Sequence, residues 1–464
     1  MTVTVSQAPQ YSSLPMTDVN RWFPSTWDRG PNWLVWLGIA SSFIAIFIKL
    51  WTPISINRIP EALYTLPFFF ALYKNFHWLK KDRIIQLFFA ALLWPVIAFG
   101  IHYLQDPETA LEYRKMDNLA RLFLFVPIAW WLGGNTRTLG WYLTTAFSGL
   151  LLACLLDPNL PATLTALAQG KRVDFNILNA QHVALYFSIA FIGLLSVTQL
   201  VISSTKSVKD TWKPLLYVAG LIICIAVVLG TQTRAAWLAL MACAGIWIIQ
   251  LGWRYRYKKP GGKFLISVLI FTSISGFIGY QFSDTVVKRI QTEQGTLNHI
   301  ISGDWENIPY TSIGIRINTW IEATRWIADK PVTGWGGNVR KVIIDQAERF
   351  PEWVRDRFGH FHNSYLEFSL AYGLVGLLLL LGVFTQLLWR INRLDHTSPQ
   401  WIKTFSIYSI ALLLVMNFFE SYFFFWSGIY VITVTLVIPY AAILSQQTSP
   451  DVVKNKPFTH SSQG

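Results

Sequence analysis

The chain has 464 residues, 53% of them hydrophobic and only 14% charged, with a formal net charge of +13. A soluble domain carries about a quarter charged residues; here the apolar residues run in long unbroken stretches instead, which excludes a soluble basic nucleic-acid-binding protein and a disordered chain. The balance is that of an all-α, polytopic membrane protein whose surplus Lys and Arg decorate cytoplasmic loops.

Residues 1–32 are polar and are expected to form a cytoplasmic N-terminal segment. Residues 1–30 hold no basic start followed by an apolar core and a small-residue cleavage site, so the first apolar run reads as an uncleaved anchor. Twelve apolar runs then approach spanning length: 33–51, 59–73, 84–104, 119–132, 139–156, 183–203, 214–230, 235–251, 264–282, 366–389, 405–423 and 425–444. The second and fourth are short, which leaves eleven open, and the break at Glu420–Tyr422 reads as a turn or only a kink. The expected layout is transmembrane helices 1–9 over 33–282, an outside loop over 283–365, helices 10–12 over 366–444 and a cytoplasmic tail over 445–464. Charge sets the orientation. Lys80, Lys81 and Arg83, then Lys206, Lys209 and Lys213, then Arg254 through Lys263, then Arg390 and Arg393 crowd one set of short loops, which marks that side as cytoplasmic. Cys154, Cys224 and Cys243 lie inside apolar runs with no Cys-x-x-Cys spacing and read as small buried hydrophobes.

The segment 283–365 is far longer than an ordinary connection, which marks a functional loop. A helical period runs from Arg316 to Ala328 and stops at Lys330-Pro331. The loop is rich in Lys and Arg, which suits either an anionic ligand at the lipid interface or contact with anionic headgroups. Pro331–Gly337 reads as a tight turn, with Trp335 either a sugar-stacking face or part of a simple chain reversal.

Candidate chemistry gathers where that loop re-enters the membrane. Ser364 and Glu367 have capping-box spacing, so Ser364 is the expected N-cap of the tenth helix, with His362 and Asn363 just ahead of it. A helix N-terminus favours anions and disfavours a charged imidazole, so His362 reads as a neutral general base or as an interfacial hydrogen-bonding residue, with His360 its local competitor. Gly373 and Gly376 read as close helix packing. Arg234, between two nearly continuous apolar runs, either meets a ligand or snorkels to the headgroups. Arg316 opens the loop helix; Lys171, Arg172 and His182 flank the sixth run and are ambiguous. Converging guanidinium forks would suit a pyrophosphate. No phosphate-binding P-loop, no His/Cys/Asp set with metal-ligand spacing and no Asp-x-Asp on an outside loop is legible, and intramembrane acids are scarce.

Three segments resemble the O-antigen ligase family, whose superfamily also holds O-antigen polymerases and bacterial protein O-oligosaccharyltransferases. They are Thr231–Leu240 (TQTRAAWLAL), Arg316–Gly337 with its Arg-x3-Trp start and Pro-x-x-Gly-x-Gly finish, and His362–Gly376 (HNSYLEFSLAYGLVG). The resemblance implies a GT-C-like fold of about 12 transmembrane helices with one large periplasmic loop, in a bacterial inner membrane. It implies metal-independent transfer, without cofactor, of a glycan from undecaprenyl pyrophosphate to a sugar hydroxyl of lipid A–core, at a periplasmic active site. By matching position, His362 is the expected catalytic base, while Arg234 and Arg316 hold the donor pyrophosphate and Arg172 adds a further basic residue. The expected partners are the lipid-linked donor, the lipid A–core acceptor and membrane lipid, with no nucleic acid. A polymerase uses the same donor and stays close behind. The compact loop argues against a protein O-oligosaccharyltransferase, and the missing pair of inverted repeats argues against a polysaccharide flippase or transporter.

Overall fold

The computed structural model describes residues 27–204, 210–255, 276, 283–395 and 398–446. The expected ninth run, 264–282, lies outside the described residues apart from Gly276, as do residues 1–26 of the N-terminal segment, most of the tail and the basic residues Lys206, Lys209, Arg256, Lys258, Lys259 and Lys263.

Among the described residues the chain is all-helical, without a strand. Six helices among the described residues are long and apolar enough to cross a membrane: Arg83–Gln105, Thr136–Leu155, Trp212–Gly230, Arg234–Trp253, Ser364–Asn392 and Trp426–Ser445. Ala180–Ser196 and Thr198–Ser204, bent by 46° at their junction, together reach the same length and apolar content. Asn32–Ile48 and Gln400–Met416 are apolar but shorter. Among the described residues, which leave out the ninth run, the expected runs therefore give six or seven helices of full spanning length plus shorter pieces, and the reasons are local. The run at 119–132 folds as two short helices, Asp117–Arg121 and Phe125–Leu132. The second has 8 residues, all buried, and rises only about 12 Å. It is packing inside the bundle rather than a crossing. The run at 59–73 begins earlier, in the helix Ile54–Lys74, whose first turns hold Asn57, Arg58 and Glu61 and whose body holds Pro60 and Pro67.

The helix Trp426–Ser445 runs through the middle of the bundle, with every residue from Ser427 to Leu444 buried. It packs on Phe125–Leu132 and on Gln400–Met416. A helix apolar all round can be buried on every side in this way. The three cysteines are free and buried, as their apolar setting predicts.

The two ends of the bundle can be told apart by what meets there. At one end Arg390 Nη1 pairs with the buried Asp82 at 2.6 Å, and the Tyr440 hydroxyl donates to the same carboxylate. At the other end the helix starts at Ala180, Arg234, Ser364 and Trp426 come together: Thr233 Oγ1 donates to Ala180 O, Ser364 N to Asn417 O and Tyr422 OH to Gln181 O. The segment 283–365 folds over this second end as helices Ser283–Ser302, Ser312–Asp329, Val339–Gln346 and Glu352–Arg357. The expected helix from Arg316 lies within Ser312–Asp329, which begins earlier because Thr311 caps it, its Oγ1 accepting from Gly314 N at 3.1 Å.

The Gly373 motif is the main departure. The sequence reads it as ordinary close packing, but the helix Ser364–Asn392 is interrupted there: Gly373 has φ 65° and ψ −168°, a region only glycine enters cheaply. The interruption frees backbone groups that the Pro331–Gly336 turn takes up. Trp335 N donates to Leu370 O at 2.7 Å, Gly336 N to Ala371 O at 3.0 Å, and Leu374 N to Pro331 O at 2.8 Å. Trp94 Nε1 satisfies Tyr372 O at 2.8 Å. Irregular backbone at membrane depth survives where protein buries and pairs it, as here. A Cβ on Gly373 would lie 2.0 Å from Val332 O. Gly373→Ala is expected to cost roughly 2 kcal/mol or more, seen as a lower melting temperature of the purified protein in detergent; an unchanged melting curve would show that the joint yields.

Candidate functional site

The tenth expected helix starts one residue earlier in its capping than the sequence implies. Asn363, not Ser364, is the N-cap: its Oδ1 accepts from Tyr365 N at 3.0 Å and Leu366 N at 3.2 Å. Ser364 occupies the first turn and its hydroxyl donates to Glu420 O at 2.8 Å. Glu367 does not close a capping box either. It is fully buried and accepts from Phe361 N at 2.7 Å, from the Ser421 hydroxyl and from Arg340 Nη1 at 2.9 Å. One carboxylate thereby ties the loop helix Val339–Gln346 and the break between the last two helices to the re-entry point. Arg340→Ala would strand that carboxylate and is expected to cost roughly 3–5 kcal/mol, measured by thermal unfolding in detergent. A loss below about 1 kcal/mol would mean that the pair is effectively solvated.

His362 sits immediately ahead of this cap with φ 53°, a left-handed conformation in which His is enriched but still uncommon. The local strain turns its imidazole toward the break between the last two helices. That break is not a kink: residues 417–425 form a non-helical segment between Gln400–Met416 and Trp426–Ser445. Glu420 lies in it, 1% exposed. His362 Nδ1 lies 3.3 Å from Glu420 Oε1, His360 Nε2 lies 3.0 Å from the same oxygen, and the two ring nitrogens are 3.0 Å apart. Ser421 N donates to that oxygen as well, at 2.9 Å. Burial alone would raise the Glu420 pKa. Hydrogen bonds from His360 and His362, and their charge, override it and hold the carboxyl well below its ordinary range. Glu420 is therefore an anion. Among the described residues no hydrogen bond engages His362 Nε2.

Arg316 and Arg234 belong to the same neighbourhood. Burial lowers the Arg316 pKa, Glu420 opposes that, Arg234 reinforces it, and Glu293 opposes it again. The guanidinium thus feels the carboxylate that holds His362 and the second arginine together. Glu293 is itself buried at the start of the Arg316 helix, accepting from the Thr311 hydroxyl and from Ile313 N. Among the described residues no carboxylate comes within 4.0 Å of the Arg316 guanidinium. Arg234 is exposed at the first residue of its helix. It follows the tight corner Thr231–Thr233, where Gln232 takes φ 51°.

Arg172 is exposed, on a loop hydrogen-bonded to that corner through Val173 N to Gly230 O at 3.1 Å and Gln232 Nε2 to Gly170 O at 2.8 Å. The structure brings the Arg172 backbone beside the Arg234 corner but gives its side chain no contact with His362 or Glu420. His182 is a packing residue: fully buried, its Nδ1 2.8 Å from the Ser427 hydroxyl. Trp335 is also packed. Its ring lies against Trp326 with centroids 4.9 Å apart, and Lys330 Nζ stands 4.0 Å over it, so it serves the chain reversal.

The sequence alone missed two members of the cluster. His360 was legible only as a competitor of His362. Glu420 was visible as a scarce acid but lies 58 residues beyond His362, too far for spacing to link them. Together with the histidines it is a set that residue spacing does not reveal: two imidazoles and one carboxylate whose ligand atoms all lie within 4.8 Å of one another.

Fold and site together define a helical membrane protein that gathers imidazole, guanidinium and carboxylate groups at one end of its bundle. Residues 219–381 match the model of a family described as O-antigen ligase. The matched stretch contains Arg234, Arg316 and His362 and stops short of Glu420. The family comprises glycosyltransferase-like ligases and polymerases, whose substrates in general are a lipid-linked glycan and a lipid acceptor. An uncharacterized protein of Haemophilus influenzae is 24% identical over 292 residues, covering 61% of this chain and 67% of that protein.

Proposed function

We propose that the protein is an O-antigen ligase of a bacterial inner membrane, transferring a glycan from undecaprenyl pyrophosphate to a sugar hydroxyl of lipid A–core. In this reading the segment 283–365 and the site lie on the periplasmic face. The observation that supports it is the His362–Glu420 pair at 3.3 Å, with Arg316 within the electrostatic reach of that carboxylate and of Arg234.

The chemistry follows from those positions. Glu420 faces Nδ1 of His362, which leaves Nε2 to take the proton from the acceptor hydroxyl. As that oxygen bonds to the anomeric carbon of the donor sugar, the bond to the pyrophosphate oxygen breaks and undecaprenyl pyrophosphate leaves with added negative charge. The imidazolium formed on the way is stabilised by the Glu420 anion, the role a carboxylate plays beside a histidine base. Arg316 and Arg234 meet the leaving pyrophosphate, where fixed guanidinium donors stabilise the transition state more than the ground state. The polyprenyl pyrophosphate is already activated, so neither nucleotide nor metal is required. Arg172 adds positive charge on the adjoining loop.

The test is an acceptor comparison. Purified protein in proteoliposomes receives one undecaprenyl-linked glycan donor with either lipid A–core or a second donor chain. Glycan on lipid A–core supports the ligase. Elongated donor without modified core assigns the protein to the polymerases instead, and no transfer to either acceptor removes the enzymatic reading.

A further inference from the structure

We propose that His360, His362 and Glu420 form a zinc site whose occupancy shuts off the base. The argument begins with the edges of the triangle. His360 Nε2, His362 Nδ1 and Glu420 Oε1 are separated by 3.0, 3.0 and 3.3 Å. Zinc binds imidazole nitrogen and carboxylate oxygen at about 2.0–2.2 Å, which sets the ligand-to-ligand edges of a tetrahedral site at roughly 3.3 Å. The three atoms already stand close to those edges and need only a few tenths of an ångström of relaxation to surround one cation.

The chemistry of the triangle points the same way. Three lone-pair-bearing atoms facing one point repel one another unless a proton or a cation sits between them. When both imidazoles donate to Glu420, their own 3.0 Å contact sets two N–H groups against each other, whereas a divalent cation would be met by all three atoms at once. Two imidazoles with one carboxylate and an open position suit zinc and disfavour magnesium and calcium, which prefer oxygen ligands. The ligands are also held from outside. Glu420 accepts from Ser421 N, and the His360 ring stands edge-on to Phe425 with centroids 5.4 Å apart. Such support keeps a preformed site from collapsing.

The ligand atoms come from two parts of the chain, the loop end at 360–362 and the segment before the last helix. Zinc would therefore clamp the loop to the bundle as well as occupy the base. Its binding is independent of the enzymatic reading, while its effect on rate rests on His362 being the base in that reading.

The experiment uses full-length protein in detergent, stripped with EDTA, then titrated with Zn2+ against a chromogenic chelator and, separately, with Co2+ followed by its visible absorption. The expected result is about one metal per chain with the intense spectrum of a low-coordinate cobalt site. Affinity should drop by roughly 10–100-fold or more in His360→Gln and, as an independent variant, in Glu420→Gln. Glycan transfer should fall as zinc occupancy rises and return on adding EDTA, with Mg2+ without effect. Equal zinc uptake by wild type and both variants would overturn the site. A transfer rate that rises with zinc would overturn the inhibitory role. Tight zinc binding lost in the variants, in a protein without transfer activity toward any acceptor, would uphold the site and reject the ligase.

Discussion

His362→Ala is expected to lower glycan transfer by roughly 10²–10⁴-fold, the usual share of a positioned general base, while the protein still inserts and purifies as the wild type does. The structural reason is that the imidazole is 16% exposed and touches one carboxylate and the His360 ring, and is not built into the bundle's apolar core. Its backbone, with φ 53°, accepts alanine at some cost but does not depend on the ring. The measurement is the transfer rate in proteoliposomes at saturating donor, beside size-exclusion behaviour and melting temperature. Wild-type transfer by this variant would take His362 out of the chemistry and leave His360, whose Nε2 is 3.0 Å from the same carboxylate, as the remaining imidazole.

Arg316→Lys and Arg234→Lys are expected to lower kcat by roughly 10²–10³-fold each, the range seen when one donor to a developing oxyanion is removed. Lysine keeps the charge but loses the planar fork that grips a diphosphate through two oxygens. Because the charge on the leaving group grows in the transition state, kcat should fall more than KM rises. The two arginines sense each other's field, so the double variant should lose less than the product of the single losses. Equal kinetics for Arg234→Lys and wild type would return Arg234 to a headgroup contact at the end of its helix.

The candidate residues were legible in the sequence for different reasons. Arg234 stands between two long apolar runs, where a charge is expensive, His362 stands just ahead of an expected helix start, and Arg316 opens the loop helix in a segment that carries the family resemblance. What escaped is everything that depends on the return of distant chain. Glu420 sits at the break between the last two apolar runs, which the sequence leaves open as a turn or only a kink, whereas nine residues there are non-helical and carry the carboxylate back to His362. The capping assignment failed by one residue because Asn363 and Ser364 are both good caps. The glutamate that made Ser364 look preferable is engaged by Arg340, supplied by the loop. The bundle's inventory failed in the same way. A run such as Phe125–Leu132 is as apolar as a crossing, and only its neighbours show that it is buried by protein on every side.

The joint between the Pro331–Gly336 turn and the interruption at Gly373 sets a rule for chimeras. A graft that imports residues 283–365 from a relative and keeps the host's remaining chain joins two halves that were never matched, stranding the carbonyls of Leu370 and Ala371 wherever the donated turn has a different path. Crossover points belong beyond residue 376, so that turn and receptor travel as one cassette. A swap made at the apparent domain edge would then yield misassembled protein whatever the merits of its sugar specificity.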